Sequence, residues 1–259
     1  MYRMRTTMNT ISRLLAATAL TSTVMTASAL ELPDDLNYNV RLGYNIGGTA
    51  PVGMPATIRK LNNYEFQPNV SFCFDVQKDL RGRWGVMSGI HLENKGMETD
   101  ASVKNYHITI KQGGDSMEGF FTGHNVAKVE EWLITVPVMA TCRVGSGVTL
   151  KLGPYLSYVL TRKFEGYVYD GYLRHNTPTG PKIEFGTGDD ERGTFDFSNE
   201  MRRWQLGIDF GADWYFSRRW GVYADITWGL TGIHKSDFKT IEQTLYPIYG
   251  TLGVTYKLK

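Results

Sequence analysis

The chain has 259 residues, 28 of them Lys or Arg and 26 Asp or Glu, with two cysteines and 13% aromatic residues. The slight basic excess sits in the first 29 residues, which hold Arg3, Arg5 and Arg13 and no acid. The remainder of the chain is nearly neutral and so lacks the electrostatic footprint of a nucleic-acid binder. No later stretch is apolar enough for a spanning helix, which needs about 20 apolar residues, and no Pro/Ser linker divides the chain, so one large β-rich domain is expected.

In chain order, residues 1–29 read as an export signal: charged start, apolar stretch from residue 14, and the small residues Ala27, Ser28 and Ala29 at a cleavage site. The remaining 30–259 form the expected domain. Eight segments then alternate with a period of two, at about 36–48, 66–79, 83–97, 127–143, 147–163, 204–216, 220–230 and 246–258. The pattern is plainest where Trp204, Leu206, Ile208, Phe210, Ala212, Trp214 and Phe216 interleave with Gln205, Gly207, Asp209, Gly211 and Asp213. Tight connections near 79–82, 145–147 and 217–219 alternate with long ones near 49–65, 98–126, 164–200 and 233–245. That spacing predicts an all-β, eight-stranded antiparallel up-and-down transmembrane β-barrel with four long extracellular loops.

Alternation alone suits a membrane barrel, apolar outside, or a soluble barrel, apolar inside. Side-chain size decides. The apolar face carries Trp84, Trp132, Trp204, Trp214, Trp220 and Trp228 with Phe72, Phe74, Phe210 and Phe216, and rings of that size are not expected in an eight-stranded lumen. The tryptophans fall toward the two strand ends, as an aromatic girdle does at the two membrane interfaces. Glycines crowd the other face, which suits a narrow, curved interior.

The inward positions carry Asp75, Glu93, Glu131, Asp209, Asp213 and Asp225 against Arg41, Lys95, Arg143, Lys151, Arg203 and Lys257, with His91 among them. Charges held in so narrow a space must pair, so a lumen crossed by ion pairs is expected and a small-solute porin is the lesser alternative. Cys73 and Cys142 fall on opposite faces, which disfavours a disulfide. No cofactor or metal motif is present, and the acidic run Asp189, Asp190 and Glu191 lacks the spacing of a calcium loop.

Gly89-Ile90-His91-Leu92-Glu93-Asn94-Lys95-Gly96, Leu133-Ile134-Thr135-Val136-Pro137-Val138 and Leu152-Gly153-Pro154-Tyr155-Leu156 resemble strands of the PorT-like outer-membrane β-barrel family of Bacteroidetes, as does the strand punctuated by Gly207 and Gly211. The resemblance covers nearly all of 30–259. It implies the barrel fold, the outer membrane and an accessory place in a secretion or assembly apparatus, and it carries over no catalytic residue.

The expected function is non-enzymatic: a structural or interaction protein seated in outer-membrane lipid, whose loops meet an envelope protein or a glycan. Phe164, Tyr167, Tyr169 and Tyr172 are the aromatic candidates, spaced as though two strands continue above the membrane. The competing enzyme reading rests on His234, Ser236 and Glu242, whose spacing loosely resembles that of outer-membrane lipid A deacylases; Asp237 departs from that pattern.

Overall fold

The computed structural model describes residues 33, 35–53, 55–112, 115–238, 240–241 and 243–259, with the backbone alone for Phe66. The expected export signal lies outside the described residues. Before residue 37 the chain makes a turn in which Leu36 N–H donates to the Pro33 carbonyl, 3.4 Å. Among the described residues no helix is long and apolar enough to cross a membrane, which does not bear on crossing by strands.

The described residues form eleven strands: β1 (Asn37–Pro51), β2 (Ile58–Phe66), β3 (Val70–Asp79), β4 (Trp84–Gln112), β5 (Asp115–Arg143), β6 (Val148–His175), β7 (Lys182–Phe185), β8 (Gly193–Asp196), β9 (Trp204–Tyr215), β10 (Trp220–Gly229) and β11 (Leu245–Lys257). Eight of them pair antiparallel in a ring, β1 to β3, β4, β5, β6, β9, β10, β11 and back to β1. The other three lie outside it: β2 on the far part of β4, β7 on the far part of β6, and β8 between β4 and β6.

At one end the ring strands are joined by tight turns closed by backbone bonds: Leu80 to Trp84 at 2.9 Å, Val144 to Val148 at 3.1 Å, Ser217 to Trp220 at 3.2 Å. Gly82 and Gly147 supply the left-handed residues of the first two, at φ 68° and 81°. The last strand ends beside the first, where Leu258 N–H donates to the Tyr38 carbonyl.

Within the ring the burial is inverted relative to a soluble protein. The polar face is buried, and the apolar face is exposed: Leu42, Ile90, Val138, Leu152, Phe210, Ile226 and Leu252 all face outward. A band of that size is unstable in water and fitted to hydrocarbon.

The long connections differ from the expected loops. β4, β5 and β6 run well past residues 97, 127 and 163, so that 98–112, 115–126 and much of 164–200 are strand. A bulge between Val103 and Tyr106, with Asn105 at φ 55°, shifts the alternation by one. Beyond the bulge Tyr106, Ile108 and Ile110 point inward onto Phe121, Val168, Leu173, Phe185, Phe195 and Phe197. The fold therefore has two interiors, a polar one inside the exposed apolar band and an apolar one beyond it.

Candidate functional site

The polar interior is built from single residues of each ring strand, placed inward by the pleat. Arg41 on β1 pairs with Asp75 on β3 at 3.1 Å, with Asp213 on β9 at 3.6 Å and with Asp225 on β10. Lys151 on β6 reaches the same two acids, Asp213 at 2.7 Å and Asp225 at 2.9 Å. His91 on β4 closes the group through Nε2 to Asp75 at 2.8 Å. Two bases and a histidine thus hold three carboxylates in a space from which solvent is excluded.

A second cluster lies along the same lumen. Lys95 pairs with Glu93 at 3.3 Å, and Glu93 also accepts from Thr135 at 2.8 Å. Glu131 accepts from Gln205 at 2.8 Å, and Thr251 donates to Asn45 at 2.6 Å. Asp209 is buried on the same face.

Three expected members sit elsewhere. Arg143 pairs with Asp79 at 3.3 Å and is half exposed; with Lys257 it lines a polar vestibule of about 210 Å³ at the tight-turn end. Arg203 lies outside the strands and is exposed. All three stand at strand ends, where inward parity no longer means enclosure.

Aromatic rings do enter this lumen, contrary to expectation. Tyr155, Tyr223 and Tyr249 are buried in it, and the Tyr223 ring lies 3.8 Å from the Arg41 guanidinium carbon. They fit because glycine stands opposite: a Cβ at Gly43 or Gly253 would collide with Tyr223, and one at Gly207 with Tyr155.

Beyond the band, the outer surface of the β5–β6 extension carries a ladder of tyrosines flanked by cations. Arg192 lies 4.7 Å from the centre of the Tyr167 ring, Lys182 4.7 Å from that of Tyr172. Tyr169 donates to Asp100 at 2.8 Å, and lost hydration together with that carboxylate pushes its phenol up to about 12. The acidic run turns in on its neighbours, with Asp189 paired to Arg192 at 2.8 Å and Glu191 accepting from the Gly188 N–H.

The family model for the outer membrane protein beta-barrel domain matches residues 26–235. The chain belongs to that family. The barrel is similar to the solved structure of Ail, the attachment invasion locus protein of Yersinia pestis, in complex with the heparin analogue sucrose octasulfate. That match has 12% identity and a TM-score of 0.38, covering 86% of this chain and 99% of that one. It is also similar to the translocator domain of the autotransporter NalP from Neisseria meningitidis, at 10% identity and a TM-score of 0.25, covering 96% and 97%. No curated protein sequence matches it.

In this outer-membrane barrel Trp84, Trp214 and Trp220 lie near the tight turns, and Trp204 and Trp228 toward the other end, all at least half exposed. Trp132, at the level of Asn94, is partly covered. The residues of the deacylase-like spacing are not assembled. His234 packs between Phe164 and Phe238, ring centres 4.7 and 4.8 Å away, and burial pushes its imidazole down to about 4. Ser236 is exposed, no hydrogen bond among the described residues links it to His234, and Glu242 lies outside the described residues.

The polar members missed by reading charges alone, Asn45, Thr135, Ser157, Gln205 and Tyr223, share the inward parity of the charged ones. Counting all polar side chains at that period would have found them.

Proposed function

We propose that this outer-membrane barrel is a non-enzymatic mount for an ordered outer platform that docks another envelope component, with its long connections facing the exterior. The observation that carries this reading is the continuation of β4, β5 and β6 past the apolar band into one sheet with its own apolar core. Such a core holds a partly exposed face in fixed geometry, which lowers the ordering cost of binding. The face offered is that of Tyr167, Tyr169 and Tyr172 with Arg174, Lys182 and Arg192 around them. Rigid aromatic rings beside guanidinium groups suit a protein hot spot, and they also suit an anionic glycan.

On this reading the charged lumen network from Arg41 to Asp225 plugs and braces the barrel, and the tryptophans Trp84, Trp132, Trp204, Trp214, Trp220 and Trp228 anchor it at the interfaces. The resemblance to PorT-like proteins supports one version, an accessory of a secretion or assembly apparatus. Affinity capture from detergent-solubilised outer membranes tests it. A stoichiometric partner recovered with the native chain and lost with the Tyr167→Ala/Tyr172→Ala variant is the expected result. Capture of the barrel alone, together with no binding to arrayed surface glycans, overturns the docking role.

A further inference from the structure

The ring is stitched unevenly where the two interiors meet. β1 pairs with β3 as far as Tyr44 and Val70, and from there to Pro51 it pairs with β11 alone. β2, the next strand in the chain, pairs with β4 alone. Between the far end of β1 and β2 there is accordingly no ladder, and the wall has a seam. Its lower part is held by isolated bonds: Tyr44 to the Gln67 carbonyl at 2.6 Å, Asn45 N–H to the Asn69 carbonyl at 3.0 Å, and Tyr64 to the Gly47 carbonyl.

Behind the seam lies a cavity of about 480 Å³. That volume is in the range of small-molecule sites, roughly 300–1,000 Å³. Its walls are apolar, with Met97, Val103, Ile108, Phe164 and Phe197 on the inner side. Ile248, on the outward face of β11 beside Trp228, also lines it, so the space lies against the wall at the seam. Leu61 flanks the same opening and is 48% exposed; Ile46, at the top of the lipid-facing face of β1, is 42% exposed. The apolar lining therefore ends close to the outer apolar band. Among the polar atoms of the lining, Asn125 Oδ1 is buried and accepts no hydrogen bond from any described group.

We propose that this cavity is a binding site for a single aliphatic chain of an amphiphile, entered sideways through the β1–β2 seam, with Asn125 accepting from a hydroxyl on the chain. An apolar-walled space of this kind favours apolar guests over water. The opening at the edge of the lipid-facing band lets such a chain slide in without crossing water. The site lies within the platform's apolar core but shares no lining residue with the tyrosine face, and it does not depend on what that face docks.

Photo-labelling of the native barrel in detergent with a diazirine-bearing hydroxy fatty acid tests the site directly. Cross-links on β2, on β4 between residues 97 and 108 and at the start of β11 are expected; cross-links confined to the outward apolar face, or none, overturn the proposal. Supplying the same label esterified in a phospholipid vesicle tests the route: labelling from the vesicle supports sideways entry from the membrane, and labelling from the free acid alone overturns it. Filling the space with Ala101→Phe and Ala127→Phe should weaken binding of the labelled acid about tenfold or more, whereas Leu156→Phe, on the lipid-facing surface of β6, should leave it unchanged. Equal binding by the filled variant also overturns the site.

Discussion

Arg41 is the residue on which most of the polar lumen converges, since it touches acids from three strands. Removing one member of a buried ion network leaves its partners charged and unpaired, which costs about 3–5 kcal/mol. Arg41→Ala should therefore lower the unfolding free energy of the barrel by that order and shift its urea midpoint downward, read from the urea-dependent gel mobility. Adding Asp225→Asn should recover part of the loss, because one stranded charge is then gone. His234 sets a second residue-scale expectation with the opposite electrostatics. Burial holds its ring neutral, down to about 4 from the ordinary 6.5. The unfolded chain then takes up the proton first as pH falls. The stabilisation by the neutral ring is complete above about pH 6.5 and is lost on acidification toward pH 4, by at most about 3 kcal/mol. Hydrogen-exchange protection around residues 201–202 and 233–238, taken relative to the intrinsic rate at each pH, should fall across that window and stay constant with pH in His234→Phe. The charged part of the lumen was legible in the sequence because Arg41, Asp213 and Asp225 keep parity with glycines of their strands, and Asp75 alternates with Phe72, Phe74 and Val76. Arg143, Arg203 and Lys257 share that parity at strand ends, where no wall encloses them, and a period count carries no information about height along the barrel.

At the scale of the element, the same count misread the outer halves of β4 and β5. Inside the band apolar means outward, but past Met97 the sheet leaves hydrocarbon and apolar means inward; the bulge at Asn105 shifts the phase as well. One rule applied to both regions finds loop where there is strand. Phe121 lies wholly buried in the outer core. Phe121→Ala should cost about 3–5 kcal/mol there and open the 98–126 hairpin to trypsin while the band-embedded ring stays folded. Loss of the heat-modifiable gel shift in that variant would contradict the independence of the two interiors. The pairing of β2 with β4 in place of β3 had no local signature at all, because which edge a strand joins is decided by tertiary contact.

For the whole molecule, the plug proposed above rests on the charged crossbars of Arg41 and Lys151 between the vestibule and the apolar cavity, and an eight-stranded lumen is too narrow for an aqueous channel of the porin kind. Planar bilayers loaded with the purified barrel should show no steady ohmic conductance in potassium chloride. A reproducible open level would restore the porin alternative. The eight-strand ring, its inverted burial and its short-turn end were legible from pattern, since a membrane barrel writes each of these into alternate positions. The platform, the seam and the cavity depend on how the long connections fold on one another, and alternate positions do not encode that.

The paired run of β4 and β5 has a mechanical meaning. Each strand is 29 residues long, a contour of about 95 Å at about 3.4 Å per residue. The two are bonded from the Trp84–Cys142 pair at the tight turns to the Gln112–Asp115 pair at the tip. Anything that grips the tip pulls on a stiff mast rooted in the wall, and the load passes to β3 and β6 as shear across many bonds at once. A tethered loop would absorb such a tug by slackening; this hairpin delivers it to the membrane.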